Sequence, residues 1–173
     1  MTANTGSTGS TIDTVGTSST VGTFTFADWD ERPVAGAEGG VRTTHAAVVN
    51  DYSGAIEAAG TSCQYTIAYT SETTGAYVGY EFIDGMLDGR KGSFIIEQRG
   101  SFLDDAIECA FTVLPGSGTG ELAGLTGTGT FTARYGEKST PYAFDYTVGA
   151  GQVSRGRGSA SRSGRAPARR PLR

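Results

Sequence analysis

PGSGTGELAGLTGTGTFTA, residues 115–133, shows the grain of the whole chain: glycine and threonine punctuating short runs of alternating apolar residues. Glycine supplies positive-φ and bulge positions that strongly curved sheets need, while Thr, Tyr, Phe, Val and Ile suit a pleated, half-buried surface. The pattern predicts a small closed β-barrel, whose function rests on whatever lines its interior.

Working outward, the same grain extends over about 130 residues. The 173-residue chain suits one domain, and its 27 glycines are about twice the number that an average usage of roughly 7% would give. Helix is disfavoured nearly everywhere. A net charge of −4 conceals an asymmetry, because residues 150–173 hold seven arginines and no acid, leaving seven Lys and Arg against eighteen Asp and Glu, a net of −11, in residues 1–149. An acidic body is a poor nucleic-acid ligand, so no nucleic-acid partner is expected. The N-terminal run MTANTGSTGSTIDTVGTSST has neither the basic nor the apolar region of a signal peptide, and no later apolar run approaches a membrane span. These features predict a soluble, cytoplasmic protein without membrane contact. Residues 1–19 (Thr, Ser and Gly) and 150–173 (Gly, Ser, Arg and Pro) are predicted to be disordered tails around a folded unit at 20–149.

Within that unit the period-two signal recurs eight times: 22–28, 43–51, 55–69, 76–86, 93–103, 106–114, 127–135 and 142–148. Asp88-Gly89, Asp104-Asp105 and Tyr135-Gly136 supply short turns, hence antiparallel neighbours. Eight mainly antiparallel strands favour closure, since an open sheet would leave two unpaired edges. A β-sandwich is the alternative. The glycine-rich link between the sixth and seventh strands is too long for a hairpin, and predicts a helical turn at Glu121–Leu125 across one barrel end.

Four blocks, GTFTFADWDERP (22–33), DYSGAIEAAGTS (51–62), YVGYEFIDGMLDGRKGSFIIEQRGSF (77–102) and TVLPGSGTGELAGLTGTGTF (112–131), resemble those of a bacterial family of unknown function with an allene-oxide-cyclase-like β-barrel. The most specific parts are the turn and strand Gly89, Arg90, Gly92, Ser93, Phe94 and the segment Pro115–Gly127. The resemblance implies eight strands around a cavity and no particular reaction. Cyclases with similar barrels are an analogy of shape, because one fold hosts many functions.

Strand parity indicates which side chains meet inside. With Glu97 and Arg99 outward, Phe94, Ile96 and Gln98 turn inward. On the preceding strand we take Tyr77, Gly79 and Glu81 as inward, Gly79 relieving crowding within a tightly curved wall. Glu81 then becomes a carboxyl group in an aromatic bore beside Gln98, where desolvation would raise its pKa and suit it to proton transfer. His45, the only histidine, shares a face with Ala47 and Val49. The expected catalytic set is therefore Glu81, Gln98 and His45, with Phe24, Trp29, Tyr65, Tyr69, Tyr77, Phe94, Ile96 and Phe144 lining the ligand site and Trp29 plugging one mouth. The plainer reading is that Glu81 and His45 are satisfied structural groups. Cys63 and Cys109 read as buried thiols. Two cysteines and one histidine provide no metal cluster, no loop has the lysine of a P-loop, and no G-x-S-x-G elbow occurs. Neither metal nor cofactor is expected.

Two functions of different class follow. One is a cofactor-free isomerase or cyclase that holds a hydrophobic small molecule in a reactive fold, in the manner of secondary metabolism. The other is a non-catalytic carrier of a small hydrophobic ligand. An apolar outer face on some strands would also allow a homodimer or homotrimer.

Overall fold

The structure, a computed structural model, describes residues 16–149; the expected tail at 150–173 and the first fifteen residues of the expected N-terminal tail lie outside them. Eight strands, β1 (Ser18–Gly36), β2 (Arg42–Gly54), β3 (Ile56–Tyr69), β4 (Thr74–Leu87), β5 (Arg90–Leu103), β6 (Ala106–Val113), β7 (Thr126–Arg134) and β8 (Thr140–Thr147), follow one another around a closed barrel. Every neighbouring pair is antiparallel, including the closing pair β1–β8. The all-β barrel expected from the sequence is therefore present, in preference to a sandwich. β1 starts at Ser18, so residues 18 and 19 belong to the barrel, paired with Tyr146 and Asp145, and not to a tail. Among the described residues no helix is long and apolar enough to cross a membrane.

Turn chemistry sets the register. Asp88 (φ 46°) and Gly89 (φ 79°) both take the left-handed conformation of a two-residue I′ hairpin, the turn whose twist matches the β4–β5 strands. The β1–β2, β3–β4, β5–β6 and β7–β8 connections gather at one end of the barrel, the mouth. The opposite end is closed by residues 114–125, where a single 3-10 turn, Gly120–Leu122, buries Leu122 and Leu125 completely. These leucines pack with Ile56, Ile83, Leu87, Phe94, Ile96, Val113 and Phe144 into one core. The helical turn expected across one barrel end is thus a stopper, and the bore is solid at that end.

β1 is the longest strand at 19 residues and contains the irregularity that shapes the mouth. Its pairing with β2 slips between Ala27 and Asp30, with Asp28 at φ 55°. A bulge of this kind shifts side-chain parity. Phe24 and Phe26 face the bore before it, Trp29 and Glu31 after it.

The stopper makes a direct prediction. Leu122→Ala leaves a cavity where no solvent reaches, and should cost about 2–5 kcal/mol in urea unfolding. A loss below about 1 kcal/mol would show that this segment does not close the core.

Candidate functional site

The unfilled half of the bore is a cavity of about 400 Å³ that opens at the mouth. Aromatic rings form its wall, with Phe24, Phe26, Trp29, Tyr65, Tyr69, Tyr77 and Phe102 contributing. Room for it comes from a recurring cross-strand arrangement. Tyr65 faces Gly79, Tyr77 faces Gly100 and Phe102 faces Gly75. In each pair the ring lies across the glycine, where an added Cβ would overlap it. At Gly79 a Cβ would collide with both the Tyr65 ring and the Gln64 carbonyl. Rings laid along the wall occupy less of the bore than rings pointing at its axis.

At the mouth Trp29 is 48% exposed and stacks on Tyr65, with ring centroids 6.2 Å apart. Glu31 holds this rim together. Its Oε1 accepts hydrogen bonds from Thr44 Oγ1 (2.7 Å) and the Tyr69 hydroxyl (2.8 Å), and its Oε2 from Trp29 Nε1 (3.2 Å). The Arg42 guanidinium carbon sits 3.6 Å from the Tyr69 ring centroid, a cation–π contact. Burial, with the Glu31 hydrogen bond next, pushes the Tyr69 hydroxyl up to about 12, so it stays protonated.

Beneath the cavity lies Glu81, which has no solvent exposure. Its carboxyl group gathers side chains from three neighbouring strands: Asn50 Nδ2 (2.8 Å) and Thr61 Oγ1 (2.5 Å) on Oε1, Tyr52 hydroxyl (2.8 Å) and Gln98 Nε2 (2.7 Å) on Oε2. Burial raises its pKa, while the bonds from Thr61, Asn50, Tyr52 and Gln98 pull it back without cancelling the rise. Gln98 extends the network, its Oε1 accepting the Tyr65 hydroxyl at 2.8 Å. Among the described residues no fully buried side-chain nitrogen or oxygen lacks a partner. Burial also raises both thiols, Cys109 to about 11, with the Glu81 charge adding to the effect, so neither Cys63 nor Cys109 is a reactive thiolate; both are free.

The expected site residues thus divide. Glu81 and Gln98 do meet inside the barrel, but under the cavity floor and not in its wall, because Asn50 and the Tyr65 ring lie between them and the opening. Phe24, Trp29, Tyr65, Tyr69 and Tyr77 line the cavity. Phe94, Ile96 and Phe144 do not, because their positions on β5 and β8 fall in the half filled by the Leu122–Leu125 stopper. His45 is on the outer face of β2 and exposed, since Thr44, Ala46, Val48 and Asn50 take the inward parity. The sequence reading missed Glu31, which reaches the wall only through the β1 bulge, and Thr61, one of many threonines. Asn50 was missed as well, because the sequence reading took the opposite face of this strand, with His45, Ala47 and Val49, as the inner one.

Residues 20–146 match the profile of DUF3224, described as a protein family of unknown function. The chain belongs to the DUF3224 family. A DUF3224 protein of unknown function from Shewanella oneidensis MR-1, seen in a crystal structure, is similar with a TM-score of 0.66 and 27% identity, over 79% of this chain and 100% of that one. No curated protein matches. The resemblance drawn from the four sequence blocks, to a family of unknown function built on a barrel, holds.

Glu81 yields a prediction with two arms. Glu81→Leu strands four donors without an acceptor and should cost about 3–5 kcal/mol or prevent folding. Because the folded-state pKa of Glu81 is raised, its contribution to stability is fully present below the ordinary carboxyl range, about 4.3, and is lost as pH rises through the folded value. Urea unfolding of wild type and Glu81→Gln from pH 4 to pH 8 should therefore show the wild type losing ground to the variant as pH rises. A difference independent of pH would mean that burial does not govern this group.

Proposed function

We propose that the protein binds a small, largely apolar molecule in the mouth-half cavity and does so without transforming it. The observation that supports this reading is the divided bore: one half solidly packed, the other an aromatic-walled space of about 400 Å³ open to solvent. That volume falls in the ~300–1,000 Å³ range of small-molecule pockets. The rings, pinned by the Glu31 and Gln98 hydrogen bonds, are positioned before any ligand arrives. Such preorganisation lowers the ordering cost of binding.

Carriage is favoured over isomerase or cyclase chemistry by where Glu81 and His45, the expected proton-transfer groups, lie. A general acid or base must come within about 2.6–3.2 Å of the reacting proton. Glu81 is screened from the cavity by its own donors, and His45 points away from it.

Trp29, the single tryptophan, provides the readout, since it stands at the cavity entrance. Titration with 1-aminoanthracene should quench its emission saturably, with a dissociation constant in the micromolar range. Ala133→Phe, which fills part of the cavity near the mouth and adds no second tryptophan, should weaken binding tenfold or more. Binding unaffected by Ala133→Phe would place the ligand elsewhere, and no binding of this or any co-purified apolar compound in native mass spectrometry would remove the proposal.

A further inference from the structure

The cavity is not uniformly greasy, and the polarity of its few hydrogen-bonding groups is fixed from below. Asn50 is 2% exposed and belongs to the cavity lining. Its Nδ2 is committed to Glu81 Oε1, and that bond determines which way the amide faces: nitrogen down to the carboxyl group, oxygen the other way. Asn50 Oδ1 accepts no hydrogen bond from any described residue, yet no sealed side-chain oxygen lacks a partner. The atom is therefore open to the cavity, an acceptor waiting at its floor.

The tyrosines of the wall do not offset this acceptor. The Tyr65 proton goes to Gln98 Oε1, an orientation itself imposed by the bond from Gln98 Nε2 to Glu81. The Tyr69 proton goes to Glu31, and the Tyr77 hydroxyl is aimed at the Glu108 carbonyl at 3.5 Å. Thr140, whose hydroxyl can donate or accept, is the neutral exception. At the rim stand two carboxylates, Asp104, which accepts from Thr73 Oγ1, and Asp105, which is paired with Arg134 at 3.6 Å. Glu81 draws both amides nitrogen-first, which leaves the cavity short of donors and supplied with acceptors.

We infer that, within the binding reading above, on which this rests, the ligand is an apolar molecule carrying a hydrogen-bond donor, a hydroxyl or an amine, at its inner end and no negative charge. The donor meets Asn50 Oδ1 and the apolar body lies among the rings. A carboxylate in the same place faces Asn50 Oδ1 at the floor and Asp104 at the rim, so fatty acids and other organic anions are disfavoured. Glu81 is then a positioning residue: it touches no ligand and sets the polarity of the group that does.

Calorimetric titration at pH 7 with four matched naphthalenes tests this. 2-Naphthol and 2-naphthylmethylamine, which donate, should bind about tenfold or more tightly than 2-methoxynaphthalene, which only accepts, and 2-naphthoate should bind weakest. The order of the two donors tells a neutral hydroxyl from an ammonium ligand. Asn50→Thr, which keeps a hydroxyl for Glu81 but has no free carbonyl, should reduce the naphthol-to-methoxynaphthalene ratio to about twofold or less. Glu81→Gln, which no longer dictates the direction of the Asn50 amide, should also reduce it. Equal binding of 2-naphthol and 2-methoxynaphthalene to the wild-type protein overturns this inference while leaving the cavity a binding site. Failure of all four to bind overturns both.

Discussion

A single buried carboxyl group organises this barrel. Glu81 on β4 accepts from side chains on β2, β3 and β5, so four consecutive strands converge on one point inside the bore. An ionisable group without solvent is costly, and the cost is met only if every oxygen lone pair finds a donor. That requirement fixes the positions of Asn50, Tyr52, Thr61 and Gln98 more tightly than apolar packing could. It also places the boundary between the two halves of the molecule. Toward the stopper lie only close-packed apolar and aromatic side chains; toward the mouth the network ends in Asn50 and Tyr65, and empty space begins.

Space on the mouth side persists because of glycine. A barrel of eight strands is just wide enough for its own side chains to fill, and most such interiors do fill. Here inward-facing positions at 75, 79 and 100 carry no side chain, and the aromatic residue on a neighbouring strand lies across each one. Mutual coverage protects the glycine backbone and keeps the ring against the wall. The cavity is therefore a consequence of pairing, not of missing residues. Its rim depends on a second acid, Glu31, which brings Trp29, Thr44 and Tyr69 together at the entrance.

The structure also separates two roles that a buried carboxyl group in an aromatic setting readily merges. Glu81 has the raised pKa that often marks a catalytic acid, yet it has no free approach from the cavity. In the proposed reading its influence on a ligand would pass through the orientation of the Asn50 amide. A perturbed pKa here goes with complete burial among four donors, and in the proposed binding reading the group a ligand would meet is the Asn50 carbonyl oxygen.

Fold class, strand count and the inward faces of β4 and β5 were legible in the chain because they depend on local rules. Alternation shows which residues share a face, positive-φ residues such as Asp88 and Gly89 mark the turns, and Gly79 beside Glu81 identifies the inward face of β4. Depth along the barrel was not legible, since period-two alternation says inside or outside and nothing of how far down. Phe94, Ile96 and Phe144 share the inward parity of Tyr65 and Tyr77, but only the docking of Leu122 and Leu125 against the far end separates core from cavity. His45 was misplaced for a related reason, its neighbours Ala47 and Val49 being apolar enough to pass for an inner face. The register slip at Ala27–Asp30 that turns Trp29 and Glu31 inward, and the direction of the Asn50 amide, depend on partners up to 38 residues away in the chain. Local pattern set the walls of this barrel, and long-range contact decided what those walls enclose.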